Sequence, residues 1–263
     1  MVAGLLGAVL LSVSPAAISG NGLPGNYQQV VDLTHSYDEN TIYWPTASGF
    51  KLHIDFHGYT DKGYYYEANS FSTAEHGGTH LDAPVHFAEG QRAVAEIPLT
   101  NLMAVAAVID VSEQCRSNRD YQVTIADIQA WEKRHGQLAD GAILLLKTGF
   151  AQYWPDRERY MGTAERGEEA VAKLHFPGLH PQAAQWLATE RRIAAVGLDT
   201  PSIDYGQSTL FESHQYLFKA NIPVFENVAN LDALPPNGAY VIALPMKIKA
   251  GSGAPLRIIA LLP

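Results

Sequence analysis

The sequence predicts a single α/β domain built on a mixed central β-sheet with flanking helices, and its N-terminal half is β-rich. Three observations carry that prediction. Two short, continuous apolar runs, Met103 to Val111 and Ala142 to Lys147, have the character of strands covered on both faces. A well-delimited amphipathic helix lies between them. Ahead of both, aromatic and alternating segments succeed one another, as strands do.

Residues 1–25 stand apart from the rest of the chain. Leu5 to Val13 is apolar and is succeeded by small residues through Gly20, the pattern of a secretory signal peptide. The run is too short to span a bilayer, and no lysine or arginine precedes Lys51, so a disordered leader is the competing expectation. An exported protein would be periplasmic or secreted; otherwise it is cytoplasmic. The domain proper is expected over residues 26–263.

Strands are expected over Gln28 to Leu33, Phe50 to Phe56 and Tyr64 to Thr73, then along the first apolar run. The helix after it begins at Thr124, three residues before Asp127 in a capping-box-like start. Ile125, Ile128 and Trp131 keep helical spacing, and Gly136 supplies the stop. The second apolar run is the next strand. Pro155 to Pro177 is polar and weakly periodic and reads as an insertion or lid. A helix is expected from Pro181, a residue suited to a first turn, to Arg191, with Ala184, Trp186 and Leu187 as its apolar positions. A strand over Ile193 to Leu198, a helix over Leu210 to Ala220, and strands over Tyr240 to Met246 and Leu256 to Leu262 complete the alternation.

Composition narrows the function. With 47% hydrophobic and 17% charged residues among 263, the chain has apolar material for a sizeable core. A net charge of -9 argues against a large nucleic-acid footprint, which needs clustered lysine and arginine, and leaves small molecules as the expected partners. The single cysteine, Cys115, rules out an intrachain disulfide and a four-cysteine zinc site, and its polar setting reads as an incidental thiol rather than a nucleophile. No Gly-x-Ser-x-Gly elbow occurs, which disfavours a serine hydrolase.

The informative stretch is Glu75-His76-Gly77-Gly78-Thr79-His80-Leu81-Asp82-Ala83-Pro84-Val85-His86-Phe87. His76 and His80 are four apart, but the glycines and Pro84 oppose a helix, so a glycine turn feeding an extended segment is expected. His80, Asp82 and His86 then point one way by period two, and the glycines let the backbone bend His76 in beside them. Imidazole and carboxylate suit Zn2+ or Mn2+, and three protein ligands leave positions open for water and substrate. The alternative is a loop of merely hydrogen-bonded histidines.

This stretch resembles the bacterial cyclase-type hydrolases that include kynurenine formamidase and isatin hydrolase, whose signature His-x-Gly-Thr-His-x-Asp-x-Pro-x-His is complete from His76 to His86. The likeness extends from Asp32-Leu33-Thr34-His35 to the C-terminus. It implies a swivelling β/β/α-like fold, a metal held by His76, His80 and Asp82, with Asp82 able to bridge to a second, and His86 as proton donor and acceptor. The formamidase branch completes its second site with a histidine and, twelve residues on, a glutamate; His214 and Glu226 have that spacing. Isatin hydrolases lack this glutamate and use one Mn2+, so the resemblance implies two Zn2+, with Mn2+ as the alternative. Trp44, in Tyr43-Trp44-Pro45, falls where formamidases place an aromatic residue against the substrate ring, though a core tryptophan is an equal reading. Tyr64 to Tyr66 either line the same pocket or are simply a strand. His35, His175 and His180 are assigned structural or surface roles, and Asp199 and Asp204 are candidate carboxylates behind the ligating imidazoles. The implied activity is hydrolysis of an aryl formamide of the N-formylkynurenine kind, with a lactam or lactone as the alternative and a non-catalytic metal-binding protein as the rival class. A homodimer or homotetramer is also implied; no stable membrane insertion is expected, because the leader's apolar run is too short to span a bilayer.

Overall fold

A computed structural model describes residues 27–263, so the expected leader over residues 1–25 lies outside the described residues. Among the described residues, twelve strands follow one another in chain order. They are β1 (Gln29–Asp32), β2 (Lys51–Tyr59), β3 (Tyr65–Ser72), β4 (His80–Asp82), β5 (Met103–Asp110), β6 (Gln122–Val123), β7 (Ile143–Lys147), β8 (Gly178–Leu179), β9 (Ala195–Leu198), β10 (Val224–Glu226), β11 (Asn237–Pro245) and β12 (Gly253–Leu262). The helices are α1 (Leu99–Leu102), α2 (Ser112–Ser117), α3 (Ile125–His135), α4 (Arg157–Met161), α5 (Glu168–Val171), α6 (Pro181–Glu190) and α7 (Glu212–Lys219).

The main sheet runs β1-β12-β11-β5-β7-β9-β10-β4, and β4 also pairs with β12. That last pairing closes the expected mixed central sheet into a seven-stranded barrel, and β1 pairs with the C-terminal end of β12. The domain is mixed α/β as expected, but closure leaves β4 with no free edge, because β10 and β12 each pair antiparallel with His80 to Asp82. The short motif strand is therefore the clasp of the barrel.

The two apolar runs occupy the parallel part of the sheet, where β5, β7 and β9 pair in register and β10 continues from β9. Ile143 to Leu146 and Ala195 to Leu198 are wholly buried, which is why these segments show no polar alternation. Successive residues serve different cores. Ile143, Leu145 and Ala195 point into the barrel with Leu81 and Phe225, while Leu144, Leu146, Val196 and Leu198 meet α3, α6 and α7 outside it. Each fully buried aliphatic chain contributes roughly 1.5–3 kcal/mol of transfer free energy. On α3, Thr124 and Asp127 form the reciprocal cap that the sequence suggests, and Ile128 and Trp131 face the core.

Several local expectations need correction. The segment Pro155 to Pro177, expected as an insertion or lid, is packed onto the domain. Tyr160, Met161, Leu174 and Phe176 within it are fully buried, and Arg157 donates to the Tyr43 carbonyl at 2.8 Å. Its polar residues face outward and its few apolar ones anchor it, a pattern too sparse to show a period. Strand β10 and the short helices α1, α2, α4 and α5 had no local signal strong enough to anticipate. β2 and β3 form a hairpin exposed on nearly all its residues, and it carries Tyr65 and Tyr66 away from the cavity lined by the histidine motif. Leu52, Ile54, Tyr59, Tyr64 and Phe71 are among its exposed side chains. Among the described residues, no helix is long and apolar enough to cross a membrane.

Candidate metal centre

The centre starts from alternation along β4. Leu81 enters the barrel core, so His80 and Asp82 face the opposite side, where both are buried. Gly77 and Gly78 precede them with φ of +153° and +58°, and a Cβ on either would overlap the ring of Tyr43 or Tyr37. The bend that brings His76 back thus requires glycine twice. His76 Nδ1 lies 2.6 Å from Asp82 Oδ1, and its Nε2 lies 2.9 Å from Ser252 Oγ, which donates in turn to Glu75 Oε2 at 2.8 Å. A side chain at Gly253 would overlap the His76 imidazole, so β12 also needs glycine here.

The extended segment ends at Asp82, earlier than expected. A 3-10 turn over Pro84–His86 then redirects the chain and stacks His86 on His76, with ring centroids 3.8 Å apart and planes 17° apart.

The other ligand-type residues come from far along the chain. β10 sets Glu226 opposite His80 in register. α7 presents His214, whose Nε2 lies 3.2 Å from Asp82 Oδ2 and 3.3 Å from Glu226 Oε1. Asp204 holds that imidazole, accepting from its Nδ1 at 2.6 Å and from the Ser213 and His214 amides at the start of the helix. Glu226 Oε1 accepts from the Ile203 amide at 2.7 Å. Two triads result, His76/His80/Asp82 and Asp82/His214/Glu226, each with ligand atoms within 4.8 Å of one another. Asp82 belongs to both.

One orphan atom tests whether a cation fits. His80 Nε2 is fully buried and 3.1 Å from Asp82 Oδ1, yet it has no hydrogen-bond partner. A buried polar nitrogen left this way is costly unless something satisfies it. Two imidazole–carboxylate triads sharing an aspartate are a donor set that suits a divalent cation.

A family model described as "Putative cyclase" matches residues 31–205. The chain belongs to this Cyclase family. It is 30% identical to an isatin hydrolase of Roseibium aggregatum, over 98% of this chain and 96% of the relative. It is 26% identical to a kynurenine formamidase of Salinibacter ruber, over 88% of this chain and 96% of the relative. Among solved structures, isatin hydrolase A from Ralstonia solanacearum superposes with a TM-score of 0.79 at 36% identity, covering 89% of this chain and 92% of that one. At this level the chain is a hydrolase of the Cyclase family with a side-chain cluster that could hold a metal.

In this Cyclase-family chain the electrostatics divide the groups by task. Burial opposes charge on His80, but the carboxylates of Asp82 and Glu226 outweigh it and raise its pKa to about 9. Burial opposes charge on His214 too, and its bonds to Asp204, Asp82 and Glu226 hold it well above the usual range. For Asp82, burial alone would raise the pKa; His76, His80 and His214 around it reverse that and hold it well below the ordinary carboxylate range. Glu226 is pushed up by burial and by the negative Asp82. His86 differs from the other imidazoles. Burial lowers its pKa to about 4, aided by the neighbouring histidines against the pull of Asp82.

A cavity of about 260 Å³ opens onto both triads and is lined by His76, His80, Asp82, His86, His214 and Glu226. Its outer wall is aromatic: Trp44, Phe87 and Phe211 line it, and Phe211 meets the other two rings at centroid distances of 6.1 and 5.4 Å. Every residue singled out from the sequence as ligand, proton carrier or ring contact lies around this one cavity. Others do not. Asp199 binds the Thr148 and Gly149 amides at the end of β7, His175 pairs with Asp120, His180 caps α6, and His35 stacks on Trp154. Sequence reasoning passed over Phe87 and Phe211. The latter sits at φ +51°, a conformation that bulky residues seldom adopt and that no sequence pattern announces.

Proposed function

We propose that this chain hydrolyses the ring amide of a small aromatic lactam of the isatin type. The observation that carries the reading is that Trp44, Phe87 and Phe211 line the same cavity as the paired triads and His86. The isatin hydrolases among the relatives support it, since they match nearly the whole chain at higher identity than the kynurenine formamidase. This reverses the order in which the sequence ranked the substrates, and the aryl formamide becomes the second reading, which Glu226 in the second triad favours.

His76, His80 and Asp82 would hold one cation, and Asp82, His214 and Glu226 a second, with Zn2+ or Mn2+ suited to the donors. Bound there, a cation supplies an activated water and a polarised carbonyl at neutral pH. His86 has no protein partner on its ring nitrogens among the described residues, so a ring nitrogen is free to accept the proton of the attacking water. Because its conjugate acid is strong, that imidazolium readily gives the proton to the departing ring nitrogen. Hydroxyl ends on the carbonyl carbon, hydrogen on the nitrogen, and the C–N bond is broken. Trp44, Phe87 and Phe211 orient the flat ring and keep bulk water away.

The test is turnover of isatin, N-formylkynurenine and a small lactone panel by protein reloaded with Zn2+ or Mn2+. Isatin is expected to exceed the formamide by at least about tenfold in kcat/KM. Turnover of the formamide alone would move the assignment to the second reading. Tight metal binding with no turnover of any compound would leave the non-catalytic class.

The proposal extends to a homo-oligomer. It is supported by the hairpin of β2 and β3, which exposes Leu52, Ile54, Tyr59 and Phe71, and an isolated two-stranded hairpin is at best marginally stable. Light scattering on the purified protein is expected to give at least twice the single-chain mass of 28.6 kDa. A single-chain mass at micromolar concentration would remove this part of the proposal.

A further inference from the structure

The Gly78 carbonyl is shared by two donors. His80 Nδ1 lies 2.9 Å from it and the Asn227 side-chain amide Nδ2 donates to it at 2.7 Å. A carbonyl only accepts, so in the neutral ring the His80 proton sits on Nδ1 and the Nε2 lone pair faces Asp82 and Glu226. In the other tautomer Nε2 carries hydrogen and cannot bind a cation.

Asn227 is itself constrained on every side. It is buried at φ +53°, its amide nitrogen donates to the Thr200 carbonyl at 2.9 Å, and its carbonyl accepts from Thr79 Oγ1 at 2.7 Å. Its side-chain Oδ1 faces the hydroxyl of Tyr160, 2.9 Å away. Tyr160 belongs to α4 and is wholly buried, with the Asp199 carbonyl 3.1 Å from the same hydroxyl. Donation from Tyr160 requires Oδ1 on its side, which leaves Nδ2 for Gly78.

We propose that Asn227 is a positioning residue for His80, oriented by Tyr160, so that the packed segment between Pro155 and Pro177 helps fix the metal-binding tautomer of a ligand it never touches. The inference rests on the metal-site reading above. Its physical content is a relay of hydrogen bonds, Tyr160 to Asn227 to Gly78, in which the carbonyl orientation selects the nitrogen of His80 that keeps its lone pair.

Two measurements test it together: Zn2+ affinity by competition with a chromophoric chelator, and the His80 tautomer by long-range proton–nitrogen NMR on metal-free protein at pH 10. In the parent a single Nδ1–H form is expected. Asn227→Ala and Asn227→Asp, neither of which donates to Gly78, are expected to bind Zn2+ about 10- to 100-fold more weakly and to populate the Nε2–H form. Tyr160→Phe keeps the ring and is expected to shift both readouts the same way, by less. It decides the matter if the Asn227 variants fail to fold. Zn2+ affinity within about threefold of the parent, with His80 held in the Nδ1–H form, would overturn the proposal. If the parent itself binds no Zn2+, the metal reading fails, while the tautomer comparison still decides whether Asn227 positions His80.

Discussion

Replacing His86 by alanine is expected to leave the metal in place and to lower turnover by about 10² to 10⁴, the usual share of a positioned acid–base group. His80→Ala is expected to lose both. The two imidazoles come from one motif and lie in one cavity, but they stand in opposite electrostatic situations. His80 is locked between Gly78, Asp82 and Glu226, and its free nitrogen points at the carboxylates. His86 belongs to neither triad, stacks on His76 and is held near pKa 4 by burial, so at neutral pH its ring is uncharged. His76 is held by bonds to Asp82 and Ser252 that do not involve the stacked ring. Metal content per chain, measured beside kcat, separates the two cases, and equal metal loss in both variants would contradict this division of labour.

Stripping the protein with a strong chelator is expected to abolish turnover, and Zn2+ or Mn2+ to restore it. The affinity of the stripped protein should also depend on pH, because a cation has to replace a proton at the buried imidazoles. The sign comes from the raised pKa values. His80 sits at about 9 instead of 6.5, so the stability its ion pairs contribute is complete below pH 6.5 and is lost as pH rises through about 9. His214 is raised as well and acts in the same direction. Metal-free protein should therefore melt at a lower temperature at pH 9 than at pH 6.5, while apparent metal affinity rises and protons are released on binding. Thermal melts of the stripped and loaded forms at both values, with metal counted per chain, check this. A count near two supports both triads, and a count near one leaves Glu226 as a structural carboxylate. An affinity that does not change with pH would show that neither imidazole takes part.

Much of the centre is legible in the amino-acid order alone. The eleven residues from His76 to His86 contain two imidazoles and a carboxylate of one triad, the candidate proton carrier His86, and the glycines that allow them to meet. That concentration is local, and local geometry is set by spacing and backbone preference. The helix opened by Thr124 and the fully apolar strands are legible for the same reason. Pro155 to Pro177 misleads because a few scattered buried side chains in a polar stretch carry no period, although one of them, Tyr160, reaches the residue next to Glu226.

By itself, then, the sequence determined the kinds of ligand, the chemistry they suit and the bend that gathers the first three, since each depends on residue type and on neighbours a few positions away. Only the tertiary structure decided that β4 closes a barrel, that β10 sets Glu226 opposite His80, and that α7, Asn227 and the Ser252-Gly253 turn converge on the same strand. Those contacts join residues more than a hundred positions apart. Their register is set by burying Leu81, Phe225 and Ala254 together inside the barrel, a condition on the whole sheet that no single segment expresses.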